Sequence, residues 1–396
     1  MRHACSPSAW PGVARLLFLV ALVCPGPAPT ADLARGVNYL TLWHGYSPAW
    51  TPDELIGRDF DRFRADGITH LALTLYWYRL EGPTPGDFSG QNRRGEPYGD
   101  PFLDGVAHVI DLAAERDLQV QVSFQTLWGK RDSAWCTPEY VREFRRDEET
   151  GHYREVSDQH GYGLSIIHDR SGRTKQQFLA AVTHAVDRLA GREGIWSWSL
   201  LNEPWAWPKD DWKRESFLTL FEQLAAIVRA RDARPVTIRF VNAHHHVDDE
   251  GKTHVSDIFY DDFRSDPRLF QALDFIGFNF YAPYPADDED DEQAWRKTLE
   301  ILREHVALCR RHDKPVWITE FGRGTDDDQA QAEFVRWAMG HFQELGIKGC
   351  MAWAWHGDWA RWSPKNNGCG SMNLVADPAT GRPRPAYDVL AAPWTR

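Results

Sequence analysis

From about residue 35 onward, short and almost continuously apolar runs alternate with longer amphipathic stretches. Apolar runs of this kind are typical of parallel strands that are covered on both faces. They predict strands over residues 35–40, 70–77, 119–126, 195–203, 235–243, 273–281, 315–322 and 348–355. The amphipathic stretches predict helices over residues 51–67, 102–117, 174–191, 215–232, 255–273, 292–313, 328–346 and 385–392. The stretch 255–273 is the least regular of these.

Eight strands alternating with eight helices are the sequence signature of an α/β fold, a single (β/α)8 TIM barrel. An open, doubly wound sheet is the alternative, but no G-x-G-x-x-G turn follows the first predicted strand. Because no repeat or low-complexity linker separates a second unit, we expect one barrel domain over residues 32–396.

The longest connection in the pattern runs from residue 127 to residue 173, after the third predicted strand. Connections of this length are usually functional or disordered. Because this one follows a strand, it leaves the barrel at the C-terminal face, where active sites of the fold are built. Its aromatic residues, beginning with Trp128, are therefore candidates for the wall of a site. Part of the segment could equally be a solvent-facing helical excursion.

The N-terminal segment has the pattern of a targeting signal. Arg2 and Arg15 precede the apolar run LLFLVALVC, which proline and small residues follow. This run is too short to span a bilayer and fits a signal peptide over residues 1–31. A lipoprotein signal at Cys24 is less favoured, because Val23 stands where such sites need a small residue. We therefore expect a secreted or periplasmic protein without stable membrane insertion.

The composition narrows the class of partner. With 42% hydrophobic residues, the chain can bury a large core and is not a disordered protein. The net charge of -12 argues against nucleic acid or an anionic membrane as the partner. The 19 tryptophans exceed what we expect core packing to use, and flat partners such as sugar rings would explain the surplus.

Cysteine usage leaves two possibilities open. Removal of the signal peptide leaves Cys136, Cys309, Cys350 and Cys369. An even count in an exported protein permits disulfides, and Cys350–Cys369 is the first pair to consider because the intervening segment is short. Buried free thiols are the equally open alternative.

Two glutamates end predicted strands on the face where sites of this fold are built. Glu203 ends the fourth strand in WSWSLLNEPWAW, and Glu320 ends the seventh in VWITEFG. The fourth and seventh strands lie nearly opposite each other in such a barrel, so both side chains can converge on one cleft. Two carboxylates that flank one bond are what retaining glycoside hydrolysis requires.

The segments LLNEPW and WITEFG resemble clan A glycoside hydrolases, and most closely family 5, the cellulase and mannanase family. The resemblance implies that Glu203 is the acid/base and Glu320 the nucleophile. It also implies that Asn202 hydrogen-bonds the sugar 2-hydroxyl and that Tyr281 lies beside the nucleophile. The tryptophan that floors the sugar would be Trp353 or Trp355, and we prefer Trp355 because it is nearer the end of the strand.

The chain also departs from the family pattern. Ala72 stands where the family carries a strand-2 arginine that touches the nucleophile, and Asn279 replaces a strand-6 histidine. After the third strand, Gln125 and Trp128 occupy the region of another family histidine. Groups that could substitute are Arg323 and the histidines at 244–246. Trp205 and His244 complete the predicted substrate contacts.

Together these features predict an exported retaining glycosidase that acts on a β-linked polysaccharide or oligosaccharide. The long aromatic loop favours endo action of the glucanase or mannanase type. We expect a monomer that needs no cofactor, and three consecutive histidines do not converge easily on a metal ion. A catalytically silent carbohydrate-binding barrel and a transglycosylase on the same scaffold are the alternatives.

Overall fold

Eight parallel strands close into a barrel in the computed structural model of the chain. Their bounds are β1 Ala34–Asn38, β2 His70–Tyr76, β3 Gln119–Gln125, β4 Ile195–Asn202, β5 Val236–Val241, β6 Ile276–Tyr281, β7 Val316–Gly322 and β8 Gly349–Ala352. Each strand pairs with the next in the chain, and β8 pairs with β1. The predicted α/β barrel fold is confirmed.

The structure describes the chain in several separate ranges. They are residues 33–39, 51–81, 86–91, 97–125, 173–204, 211–247, 253–256, 266–282, 291–355, 372–377 and 380–393. The predicted signal peptide (1–31) and almost all of the long connection after β3 lie outside them. None of the helices in these ranges combines the length and apolarity needed to cross a membrane.

Helices follow the strands and surround the barrel. Their bounds are α1 Asp53–Ala65, α2 Asp100–Ala114, α3 Arg173–Leu189, α4 Asp211–Arg229, α5 Pro267–Ala272, α6 Asp291–Arg311, α7 Asp328–Glu344 and α8 Pro385–Ala391. Seven of these agree with the predicted helices to within a few residues. The side chains that pack between strands and helices form the main hydrophobic core.

The predicted fifth helix, over 255–273, is wrong in its first part. Residues Thr253–Ser256 form a strand that pairs antiparallel with His244–Val247. The reason is visible in the sequence, where β-branched and polar residues alternate with the period of a strand. Residues 257–265 lie outside the described ranges, and a helix begins at Pro267, where the Asp266 side chain accepts a hydrogen bond from the backbone N–H of Arg268.

Aromatic rings pack at the N-terminal ends of the barrel strands. Trp196 of β4 lies 4.6 Å from Trp317 of β7 between ring centroids, and His70 of β2 contacts both rings. A side chain at Gly349 would place its Cβ 2.2 Å from the Trp317 ring, so only glycine fits there. Part of the tryptophan surplus is thus structural and lies at the pole opposite the C-terminal face.

The two cysteines in the described ranges are buried free thiols. Cys350 lies in β8, in register with Arg35 of β1 and Ile318 of β7. Of the two possibilities that the sequence leaves open, the buried free thiol therefore holds for Cys309 and Cys350, and the Cys350–Cys369 pair is not formed. Cys136 and Cys369 lie outside the described residues.

Candidate active site

Glu203 lies at the C-terminal end of β4, where the chain leaves the barrel. Its φ of 49° places it in the left-handed region, which is unusual for a residue other than glycine. The backbone still follows the sheet, because its N–H donates to the carbonyl oxygen of Arg239 at 2.7 Å. The carboxylate accepts a hydrogen bond at Oε1 from Nδ2 of Asn279, at 2.9 Å. Backbone in a sparsely populated conformation is common at functional sites.

Glu320 lies within β7, and only 3% of it is exposed. The two oxygens of its carboxylate have different donors. Tyr281 donates from its hydroxyl to Oε2 at 2.5 Å, and Arg239 donates from Nη1 to Oε1 at 3.2 Å. The structure therefore brings Tyr281 to the predicted nucleophile.

Arg239 of β5 is a residue of the site that the sequence analysis missed. It is fully buried inside the barrel. Its Nε donates to Oε1 of Gln121 at 2.8 Å, and its Nη1 donates to Oδ1 of Asn38 at 3.1 Å. The available signal was an arginine in the middle of the apolar strand VTIRFV. Charged residues are almost never fully buried without a partner, so this position pointed to one.

Arg323, one of the predicted substitutes for the missing arginine, is directed elsewhere. Its guanidinium lies 5.2 Å from the ring centroid of Trp295 on α6. Its Nη1 also lies 3.5 Å from the carbonyl oxygen of Ala330 on α7. Among the described residues, the guanidinium that contacts Glu320 is that of Arg239.

Asn279 of β6 connects the predicted acid/base to its neighbour on β4. Its Nδ2 donates to Oδ1 of Asn202 at 3.2 Å as well as to Oε1 of Glu203. The hydroxyl of Thr319 donates to its Oδ1 at 2.9 Å, which fixes the orientation of the amide. The structure therefore brings together Asn202, Asn279 and both glutamates.

The electrostatics of the two carboxylates differ. Burial raises the pKa of Glu203 to about 8, the charge of Glu320 adds to the rise, and Asn279 and Arg239 oppose it. Burial also raises the pKa of Glu320, but Arg239 and the Tyr281 hydroxyl oppose that rise. Burial likewise keeps the pKa of Tyr281 well above its usual value, so its hydroxyl remains a donor. Because Glu320 has a direct cationic partner and Glu203 accepts from an amide in the described part of the chain, a proton held by this pair is expected on Glu203.

The preference for Trp355 as the sugar platform is wrong. Trp355 is fully buried and packs edge-on against Phe63 and Tyr387, with centroid distances of 4.7 and 4.9 Å. The strand β8 already ends at Ala352, so the alternation of side chains between the two faces of a strand does not extend to Trp355. Trp353, the other predicted residue, is partly exposed, and its backbone N–H donates to the carbonyl oxygen of Phe321.

The remaining predicted contacts have different outcomes. Gln125 ends β3 and is 2% exposed, and its Oε1 has no hydrogen-bond partner in the described part of the chain. His244 lies in the hairpin after β5, where its backbone pairs with Ser256. Trp128 and Trp205 lie outside the described residues.

Comparison with known proteins places this geometry among related sequences and folds. The family model described as cellulase (glycosyl hydrolase family 5) matches residues 34–358. No match was found among curated protein sequences.

Solved structures of similar fold include three whose chains resemble this one over most of its length. The endo-β-1,4-mannanase from Thermotoga petrophila is 15% identical, with a TM-score of 0.59 over 91% of this chain and 76% of that chain. Endo-glycoceramidase II from Rhodococcus sp. is 17% identical, with a TM-score of 0.60 over 91% and 78%. The endo-1,4-β-mannanase from Rhizomucor miehei is 15% identical, with a TM-score of 0.54 over 90% and 95%. At these identities the likeness concerns the fold.

Proposed function

Because the chain belongs to glycosyl hydrolase family 5, we propose that it hydrolyses β-glycosidic bonds of a polysaccharide or oligosaccharide with retention of configuration. One observation carries the proposal. Two glutamates lie in one buried hydrogen-bond network, and their partners differ in charge. Glu320 contacts a guanidinium and a phenol, whereas Glu203 contacts an amide. Retaining glycosidases need this inequality, because one carboxylate must be ionised while the other holds a proton.

In the first step, a carboxylate oxygen of Glu320 attacks the anomeric carbon of the sugar. The bond between that carbon and the leaving oxygen breaks, and Glu203 gives its proton to the leaving oxygen. The products are a glycosyl ester of Glu320 and a free alcohol, with Glu203 now ionised. The raised pKa of Glu203 supports its role as the proton donor near neutral pH.

In the second step, water attacks the anomeric carbon of the ester. Glu203 takes one proton from the water, and the bond between the sugar and Glu320 breaks, which restores the carboxylate. Two displacements at the same carbon leave the β configuration unchanged. Neither step calls for a cofactor.

Several polar and aromatic residues around the glutamates are proposed to bind the sugar. Asn202 uses its Oδ1 to accept from Asn279, so its own amide N–H groups remain for the sugar 2-hydroxyl. Trp353 is the proposed platform, and Gln125 offers a buried acceptor at the end of β3. Trp128, Trp205 and His244 stay proposed contacts from the sequence.

The substrate class is proposed to be a β-linked glucan or mannan that is cut internally by a monomeric, exported enzyme. The names of the similar structures include mannanases and a glycoceramidase, so glycosylceramides belong in the same substrate panel. Export rests on the predicted signal peptide. N-terminal sequencing of the mature protein tests it, and a mature N-terminus before residue 31 would contradict the predicted cleavage site.

The alternative of a catalytically silent binding barrel rested on the missing arginine of the second strand. A guanidinium does contact Glu320, although it comes from β5, so this reason no longer favours a silent protein. A transglycosylase would use the same residues and differ in whether water or sugar accepts the glycosyl unit. Product analysis with excess acceptor sugar separates the two enzymes.

The decisive experiment replaces each glutamate and supplies azide as an external nucleophile. Glu320→Gly should lose turnover of an activated β-glycoside and, with azide, form the α-glycosyl azide, since a single displacement inverts the centre. Glu203→Ala with azide should form the β-glycosyl azide, because azide then attacks the glycosyl ester of Glu320. In the wild type, a 2-deoxy-2-fluoro glycoside should label Glu320.

A matched control is Glu81→Gln. Glu81 is also a buried glutamate, but its carboxylate accepts from Trp77 and from the backbone of Gly86. This variant should remain active. The proposed function is wrong if Glu320→Gly retains activity or if the first sugar released by the wild type is the α anomer.

A further inference from the structure

Arg239 carries a positive charge inside a closed barrel, and its contacts show which negative charge compensates it. A buried charge is costly unless it is paired and hydrogen-bonded. Two of its contacts, Asn38 and Gln121, are neutral amides, and the third, Glu320, is a carboxylate. The ion pair with Glu320 is almost completely buried, with side-chain exposures of 0% and 3%. The guanidinium therefore serves as the counter-charge of that carboxylate.

The two amides that contact Arg239 are themselves held in place. Nε2 of Gln121 donates to the hydroxyl of Ser197 at 3.0 Å. Nδ2 of Asn38 donates to the carbonyl oxygens of Thr319 and Ala352, at 3.0 and 3.3 Å. Because each amide nitrogen donates to a partner of its own, each amide oxygen is directed at Arg239. The direction of the guanidinium is fixed before any ligand binds.

Ala72 of β2 lies at the same level of the barrel as these two amides. It is in register with Asn38 of β1 on one side and with Gln121 of β3 on the other. Leu71 and Leu73, its neighbours in the chain, belong to the hydrophobic core between strands and helices. Side chains alternate along a strand, so Ala72 points into the barrel. Its small side chain leaves room between the two amides that Arg239 contacts.

We infer that Arg239 is the positioning residue that holds Glu320 as an oriented carboxylate, and that Ala72 provides the space for its guanidinium. The inference rests on the proposed function. The absence of an arginine at 72 and the presence of one at 239 are then two parts of one arrangement. A long side chain at 72 and the guanidinium of Arg239 would compete for the same space.

The charge of Glu320 changes during the proposed reaction, which gives Arg239 a step-specific effect. The carboxylate loses its charge when the glycosyl ester forms and regains it when water releases the sugar. A guanidinium beside it favours the return of the charge and therefore the second step. Without it, the glycosyl ester should accumulate, so kcat and KM should fall together.

The test uses 2,4-dinitrophenyl β-glycosides of the sugar that the wild type hydrolyses, because this leaving group needs no proton. In Arg239→Gln we expect kcat to fall by roughly 10²–10³-fold, with KM falling alongside it and an initial burst of dinitrophenolate. The acidic limb of kcat/KM should move up by about one to three pH units. Arg239→Lys keeps the charge and should recover at least part of kcat with a smaller shift of the limb.

A second pair of variants tests the space at position 72. Ala72→Leu should displace the guanidinium and move the acidic limb in the same direction as Arg239→Gln, whereas Ala72→Ser, which keeps a small side chain, should move it much less. This pair and Arg239→Lys carry the test if circular dichroism shows that Arg239→Gln does not fold. The matched control is Arg384→Gln. Arg384 is another buried arginine, bonded to Asp328, and its replacement should lower the melting temperature without moving the limb.

The outcomes separate this inference from the proposed function. If the wild type is not labelled at Glu320 by a 2-deoxy-2-fluoro glycoside, the proposed function fails. If the wild type is labelled but folded Arg239→Gln keeps kcat, KM and the acidic limb of the wild type, only the role of Arg239 is overturned. Folded Ala72→Leu with an unshifted limb would overturn the role of Ala72.

Discussion

Nδ2 of Asn279 lies 2.9 Å from Oε1 of Glu203, so a strand-6 amide donates to one specific oxygen of the carboxylate. An oxygen that accepts an N–H is the carbonyl oxygen of the neutral acid, because the acidic proton would otherwise meet the N–H group. The proton of Glu203 is therefore expected on Oε2. Since Thr319 fixes the amide of Asn279, these contacts also determine which oxygen of Glu203 would carry the proton in the proposed mechanism.

The first prediction follows from this contact. Asn279→Ala should lower kcat/KM for an alkyl β-glycoside by roughly tenfold to a hundredfold, part of what a positioned acid contributes. The loss should be clearly smaller on a dinitrophenyl glycoside, which leaves without a proton and depends on Asn279 only through the contact with Asn202. The hydrogen bond from Asn279 lowers the pKa of Glu203, so its removal should raise this pKa and move the basic limb of the pH profile to higher pH.

The control for this variant is Asn242→Ala. Asn242 is a buried asparagine at the end of β5 that contacts His305 and the carbonyl oxygen of Thr298. Its replacement should lower the melting temperature and leave unchanged the ratio between the kcat/KM values for the alkyl and the dinitrophenyl glycoside. Equal losses on both substrates in Asn279→Ala would contradict a role in proton donation.

The second prediction concerns Tyr281, whose hydroxyl donates to Oε2 of Glu320 at 2.5 Å. Tyr281→Phe removes this donor and keeps the ring. A hydrogen bond to a charged group contributes about 1.5–3 kcal/mol, so kcat/KM on a dinitrophenyl glycoside should fall by roughly tenfold to a hundredfold. The acidic limb should move to higher pH, because the bond lowers the pKa of Glu320. A pH profile that matches the wild type would show that the hydroxyl does not act on Glu320.

The fold was predictable because its signals are local and repeated. The strands are short apolar runs and the helices are longer amphipathic ones, and their regular alternation identifies the barrel. The prediction for 255–273 is wrong at residues 255 and 256, which belong to a short strand, because a window long enough to detect a helix averages over such a strand. The terminal residues of elements such as β8 are set by the ends of pairing, which the sequence does not display.

Proximity was predictable for residues of short motifs, and the hydrogen bonds place Glu203, Glu320, Asn202 and Tyr281 together, while their roles stay predictions. It was not predictable where a role depends on contacts between distant strands. Arg239 approaches Glu320 from another strand, 81 residues away in the chain. Trp353 and Trp355 are two residues apart, and the end of β8 decides which one is buried.

These two tryptophans give the third prediction. Trp353→Ala should weaken substrate binding or turnover, with kcat/KM lower by roughly tenfold to a hundredfold, as is usual when an aromatic anchor is removed. Trp355→Ala should instead destabilise the fold by about 3–5 kcal/mol, because it leaves a cavity beside Phe63 and Tyr387. Thermal melting and steady-state kinetics, recorded where both variants are folded, check the pair. The assignment is reversed if Trp355→Ala carries the kinetic loss.

The fourth prediction is a pH dependence of stability that Glu203 causes. Its pKa is about 8 in the folded chain, above the ordinary value of 4.5. The folded state therefore favours the protonated form, and the stability that this provides is present below pH 4.5 and is lost as the pH rises to about 8. Glutamine cannot ionise, so Glu203→Gln should melt near the wild-type temperature at pH 4 and a few degrees above it at pH 8.

Melting curves of both proteins between pH 4 and pH 9 measure this difference. Glu215→Gln is the control with the opposite sign, because Arg268 lowers the pKa of that exposed carboxylate. Its stabilising effect is complete above the ordinary carboxylate pKa and is lost as the pH falls below that value, so its replacement should give no gain in melting temperature at pH 8. A constant offset between Glu203→Gln and the wild type across the whole range would mean that Glu203 titrates normally. In that case it would be ionised at neutral pH and unable to supply the proton for the first step.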